Sequence, residues 1–208
     1  MRSNKIAVWW LLALIVTVAG VLVSFRWLDM VMATGFAHHF HRLRHAGEHL
    51  GSPILVGGET VVTVFLVVYR IAAGRLPELG KVTVVGCATS LCVFALNEFV
   101  LKVMFGVATP DDVLAGLAPH AIAPFQGTWQ SSFPSGHMTL ACGFVATFLY
   151  QDRRLLALLG MGVVAAAVLL VLGGWHFVSD VIAGVFTGGT AGVLAAATWR
   201  QDRLRIRA

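Results

Sequence analysis

The sequence predicts an all-α membrane protein, a bundle of six transmembrane helices with its functional site at the non-cytoplasmic membrane surface. Three observations lead there. Of 208 residues, 58% are hydrophobic and only 12% charged, a balance foreign to soluble domains and usual for packed membrane helices. Six apolar runs are long enough to read as spans. The basic residues also divide unevenly between the two sides, as membrane insertion favours. No linker, low-complexity tract or charge block breaks the chain, so residues 1–208 read as one domain, with its motifs between 102 and 180.

The first span is Ile6–Ser24. Its apolar run exceeds the roughly 7–15 residues of a signal-peptide core and no small-x-small site follows, so it is read as retained. The outer stretch Arg26–Ser52 comes next. In it His38, His41, His45 and His49 recur at helical spacing beside Arg42 and Arg44. A metal cluster is one reading, but only Glu48 joins the histidines, and an amphipathic helix near lipid headgroups fits better. Span two, Pro53–Tyr69, carries Glu59, an intramembrane carboxylate that needs a partner in the histidine segment or at the site. The inner loop Arg70–Lys81 leads to span three, Val82–Phe105. A longer outer connection, Val107–Pro134, holds Pro110, Pro119 and Pro124.

Span four, Gly136–Tyr150, is short because a motif occupies its outer end. Gln151–Arg154 turns the chain into span five, Leu155–Gly174. A tight outer turn around Gly173-Gly174-Trp175 then opens span six, Phe177–Trp199. Gly184, Gly188 and Gly192, spaced four apart on that span, read as a stripe for close helix packing. A bilayer offers bare backbone no partners, so the spans are helices. Cys87, Cys92 and Cys142 fall inside spans without redox or metal spacing and read as small apolar filler.

With an inner N-terminus, the inner segments hold Arg2, Lys5, Arg70, Arg75, Lys81, Arg153, Arg154, Arg200, Arg203, Arg205 and Arg207. The outside keeps Arg26, Arg42, Arg44 and Lys102. Eleven against four sets the orientation. The protein is expected in a bacterial inner or plasma membrane, with both termini cytoplasmic and its motifs periplasmic or extracellular. The basic C-terminal tail reads as a topology anchor near anionic lipid, and the expected partners are membrane lipids, not nucleic acid.

Two segments carry chemistry. If the sixth helix begins near Trp175, His176 and Asp180 are stacked on one face. Asp180 can then accept from one ring nitrogen and leave the other basic and outward, as a nucleophile needs. Pro134-Ser135-Gly136-His137 opens the fourth helix. A helix start presents amides and a positive dipole end to an anion. Gly136 lets backbone approach a phosphate, Ser135 can donate to a phosphoryl oxygen, and His137 can protonate a leaving oxygen. Lys102, one turn after Glu98, reads both as an i,i+4 ion pair and as a cation at the mouth of the site.

These segments resemble the three signature motifs of the type-2 phosphatidate phosphatase family, the membrane branch of a superfamily that includes vanadium haloperoxidases. The second motif is complete as Pro134-Ser135-Gly136-His137, the third keeps His176 and Asp180, and the first keeps Lys102 and Pro110. Thr109 stands where the first motif has arginine, and Leu169-Leu170 where the third opens Ser-Arg. The resemblance implies a lipid phosphatase acting on a lipid phosphate or diphosphate, phosphatidate-like or polyprenyl. It also implies His176 as the nucleophile of a phospho-histidine intermediate, Asp180 as its orienter and His137 as acid. Lys102, Ser135 and Gly136 would hold the phosphate, with Thr109, Arg42, Arg44 and His120 as auxiliary candidates. No metal or other cofactor is expected. Two alternatives stay open. One is a lipid headgroup phosphotransferase or phosphodiesterase, in the style of the group related to sphingomyelin synthase. The other is an inactive membrane binding protein of the same fold.

Overall fold

The computed structural model describes residues 2–36, 51–151 and 153–206; the histidine-rich segment with Arg42 and Arg44 lies outside them. Among the described residues the regular structure is helical throughout. The chain runs α1 (Arg2–Val23), a π-helical turn (Ser24–Leu28), α2 (Asp29–Phe36), α3 (Gly51–Ala73) and α4 (Glu78–Leu96). A second π-helical turn (Asn97–Leu101) leads into α5 (Lys102–Phe105) and α6 (Pro110–Leu114). Then come α7 (Gly136–Gln151), a 3₁₀ turn (Arg153–Leu155), α8 (Leu156–Leu172) and α9 (Val178–Ile206).

Four helical stretches are long and apolar enough to cross a membrane: Ala7–Phe36, Pro53–Ala73, Glu78–Leu114 and Val178–Trp199. Gly136–Tyr150 and Leu156–Leu172 are apolar but shorter. No residue in the apolar window of α3 is fully buried, and Val61, Phe65 and Ile71 point outward. Such faces suit lipid contact, where apolar side chains need no protein cover.

Three boundaries differ from the sequence reading. Helical structure in the first span continues beyond Ser24 to Phe36. Arg26 and Asp29 suggest an end there, but Arg26 points outward while Asp29 turns inward to donors on α9. The third helix starts at Glu78, after Pro77, and Glu78 pairs with Lys81 at 2.9 Å. The last helix starts at Val178, so His176 precedes it and shares no helix face with Asp180.

The packing that positions the site is α9 against α7. A Cβ added at Gly184 would fall 2.6 Å from Ser135 O, at Gly188 2.2 Å from Thr139 O, and at Gly192 2.5 Å from Gly143 O. The stripe brings two backbones into direct contact. On its other side α7 meets α4, where the Ser90 hydroxyl donates to Leu140 O at 2.9 Å. Glu59 lies near this Ser90, whose hydroxyl hydrogen goes to Leu140 O, and its Oε2 has no hydrogen-bond partner among the described residues. Cys87 and Cys142 are buried, Cys92 is exposed, and all three are free thiols.

Candidate active site

The end of α4, the 107–134 connection, the start of α7 and the turn before α9 enclose a cleft of about 990 Å³. Its lining includes Glu98, Lys102, Thr109, Ser132, His137 and His176.

His176 is set by the way α8 ends. Trp175 N–H donates to Leu170 O at 3.1 Å and Gly174 N–H to Val171 O at 3.1 Å. Gly174 takes φ +73°. This is the paired closure of a Schellman turn, and it needs a glycine at the left-handed position. The next residue, His176, also donates its amide to Leu170 O, at 3.3 Å.

Asp180 lies in the opening turn of α9 and reaches back. Its Oδ2 accepts from Phe177 N–H at 2.8 Å, as the acidic partner of a capping box does. The same oxygen lies 3.3 Å from His176 Nδ1. The Ser132 hydroxyl also donates to Oδ2 and sits 3.4 Å from His176 Nδ1. With Nδ1 protonated toward Asp180, His176 Nε2 is left as an acceptor. It faces His137 Nδ1 at 3.3 Å. The Asp180 carbonyl accepts Ser135 N–H at 3.1 Å, which ties the start of α7 to the start of α9.

Ser135 and Gly136 are arranged differently from the sequence expectation. Ser135 is fully buried, and its hydroxyl faces Met138 N–H at 3.4 Å as the N-cap of α7. A Cβ on Gly136 would fall 2.4 Å from Glu98 Oε1, so this position is glycine to admit a neighbouring carboxylate. Lys102 reaches Glu98 Oε1 at 2.8 Å and Oε2 at 2.9 Å, and also donates to Trp129 O at 3.1 Å. It is a buried pair at the edge of the cleft, not a loose surface cation.

Thr109 caps α6. Its hydroxyl donates to Asp112 Oδ2 at 2.7 Å and accepts Asp112 N–H at 3.2 Å. Leu170 is buried with Met138, Cys142 and Val181. Among the described residues, the charged side chains lining the cleft, its histidines aside, are Glu98, Asp111, Asp112 and Lys102.

One auxiliary expectation changes and another falls outside the described residues. His120 does not line the cleft, because its ring is packed between Phe25 and Phe177, with centroids 4.1 and 4.4 Å away. Arg42 and Arg44 lie outside the described residues. Ser132 is the site residue that spacing did not reveal. The only sequence signal for it is its place just before Phe133-Pro134, in a run otherwise rich in turn residues.

Comparison with protein-family models matches residues 79–205 to the PAP2 superfamily. No curated protein and no solved structure matched the chain. The family match covers more than half of the sequence and takes in Lys102, His137, His176 and Asp180. The chain thus belongs to the PAP2 superfamily, the grouping of type-2 phosphatidate phosphatases and haloperoxidase-like proteins.

Proposed function

We propose that this protein is an integral membrane lipid phosphatase, acting on a lipid phosphate or diphosphate at the non-cytoplasmic surface of a six-span bundle. Membership of the PAP2 superfamily supplies the coarser part: phosphatase-type activity on phosphorylated substrates, often lipids. One observation supports the finer part, the relay Asp180–His176–His137. His176 Nε2 is the nucleophile. It bonds to phosphorus as the bond to the leaving oxygen breaks, and His137 gives that oxygen its proton. Water then attacks the phospho-histidine, His137 takes a proton from it, and inorganic phosphate leaves. Asp180 and Ser132 hold the His176 ring and stabilise the charge it gains. Lys102, held by Glu98, places positive charge at the edge of the cleft, on the side where the phosphoryl oxygens would lie. At 3.3 Å the two imidazole nitrogens leave no space for a phosphorus atom, so substrate must part the rings.

The test is phosphate release by purified protein across a panel of lipid phosphates, diphosphates and diesters, with His176→Ala as control. Release from none of them would sink the phosphatase reading.

Ser132→Ala removes one donor from a buried carboxylate. A hydrogen bond to a charged group contributes about 1.5–3 kcal/mol, so kcat is expected to fall by roughly tenfold or more with the fold retained. A variant at wild-type kcat would remove Ser132 from the relay.

The orientation is tested with single cysteines at Gln126 and Arg75 in a background lacking Cys87, Cys92 and Cys142. Both positions are exposed. Gln126 is preferred to Gly127, where a Cβ would fall 2.1 Å from Lys102 O. An impermeant thiol reagent should label Gln126→Cys from outside and leave Arg75→Cys untouched. The reverse pattern would overturn the orientation.

A second reading, a headgroup phosphotransferase or phosphodiesterase, is favoured by the cleft's charges. Among the described residues its one lysine is already paired with Glu98, and Thr109 and Leu170 stand where the motifs carry arginine. A diester has less negative charge to hold than a monoester. Vanadate should accordingly inhibit weakly. Thr109→Arg should tighten it by about tenfold, the effect of one charge-assisted hydrogen bond. Tight wild-type inhibition with no gain in the variant would show that other groups fill those places.

A further inference from the structure

The first helix brings a carboxylate to the site from outside the family match, and the chemistry above does not use it. Asp29 is 1% exposed. Its Oδ1 accepts Ser179 N–H at 3.0 Å and its Oδ2 accepts the Ser179 hydroxyl at 2.5 Å. Ser179 is fully buried. A carboxylate buried in a membrane helix is costly and persists where donors meet it. Here both donors belong to the second residue of α9, beside Asp180.

A helix start leaves its first amides without internal partners. In α9, two carboxylates take up such donors. Asp180 holds the Phe177 amide from within the turn. Asp29 holds the Ser179 amide from another helix. Behind Asp29, His120 Nε2 lies 3.3 Å from Oδ2, off the line of a good hydrogen bond. The His120 ring is wedged between Phe25 and Phe177. Phe177 adjoins His176, so the brace ends one residue from the proposed nucleophile.

We infer that Asp29 is a positioning residue for the phosphoryl-transfer site. It fixes the rotation of the first turn of α9, and through Ser179 and Asp180 the aim of the His176 ring, with His120 as a brace. Asp29 does not line the cleft and does not touch substrate. This role rests on the reading of His176 as the reacting group.

The experiment compares wild type with Asp29→Ala, Asp29→Asn and Ser179→Ala. It has two readouts: kcat and KM on a lipid phosphate, and the rates at which diethyl pyrocarbonate modifies His176 and His137, followed by mass spectrometry. A misplacement near 1 Å costs about 10²-fold in rate, so Asp29→Ala should lose about that much kcat with KM little changed. Ser179→Ala keeps the amide and should lose less. Asp29→Asn keeps an acceptor and should fall between them. His176 modification should change while that of His137 does not, whereas general loosening would speed both. Wild-type kcat, a change confined to KM, or parallel changes at both histidines would each overturn the role. If Asp29→Ala does not fold, Ser179→Ala decides by the same readouts. If wild type hydrolyses no lipid phosphate, the phosphatase reading fails, and selective change at His176 still decides for or against positioning.

Discussion

Replacing His176 with alanine should lower phosphate release by about 10⁴-fold or more, the scale seen when an essential nucleophile is removed. The expectation follows from the cleft's inventory. His137, the other imidazole among the described cleft residues, has its Nδ1 turned to His176 Nε2 and is placed as the acid. The labelled phospho-enzyme trapped from wild type should be acid-labile and absent from the variant. His137→Ala should fall by about 10²–10⁴-fold on alkyl phosphates. The loss should shrink on nitrophenyl esters, whose leaving oxygen needs little protonation. Asp180→Asn should keep the fold but lose about 10²-fold or more, because an amide nitrogen toward Nδ1 inverts the tautomer. An active His176→Ala protein would refute the phospho-histidine mechanism outright.

Gly188→Ala should be the most damaging small substitution in the glycine stripe that joins α9 to α7. Its new Cβ would sit 2.2 Å from Thr139 O and 2.9 Å from Gly143 N, both backbone atoms of α7. Overpacking usually costs about 1–3 kcal/mol, and a backbone obstacle that cannot rotate away puts this case at the upper end. His137 and His176 lie at the starts of the two helices in contact, so forcing these apart should also cut kcat. Gly189→Ala is the control, since nothing lies within 4 Å of its added Cβ. Alanine is the better helix former by about 1 kcal/mol, so this variant should melt no lower than wild type. Equal melting of the two variants in a denaturant or thermal titration would show that α7 and α9 are not in backbone contact.

Local spacing revealed what lies close in sequence. Glu98 and Lys102 read as an i,i+4 pair and are one. The glycines of the last helix read as a packing stripe and meet α7. The Pro134–His137 run read as a helix start, and α7 starts there. Contacts made by the fold were not legible. No periodicity links Asp29 to Ser179, and the first span read as ending at Ser24, before Arg26, because sequence alone does not tell a buried charge from an interfacial one. His120 looked like an outer cation for the same reason. Ser132 and Asp180 meet only once the connection after α6 folds back over α9. The i,i+4 geometry assigned to His176 and Asp180 was replaced by a cap, since an acid in the first turn of a helix finds unpaired amides before it finds a side chain.

The ion pair between Lys102 and Glu98 bears on how substrate arrives. Positive fields at anion sites draw ligands from solution and speed encounter, an effect that fades as salt rises. Here the one lysine lining the cleft among the described residues is already matched by Glu98. A lysine so matched adds little pull on an anion diffusing in bulk water. A lipid already confined to the leaflet needs no such pull, because two-dimensional diffusion delivers it. Turnover should then follow the mole fraction of substrate in the bilayer and stay nearly flat across ionic strength. Water-soluble phosphates of the same headgroup should be the poorer substrates. Selectivity against them would come from the absence of attraction, with no steric filter required.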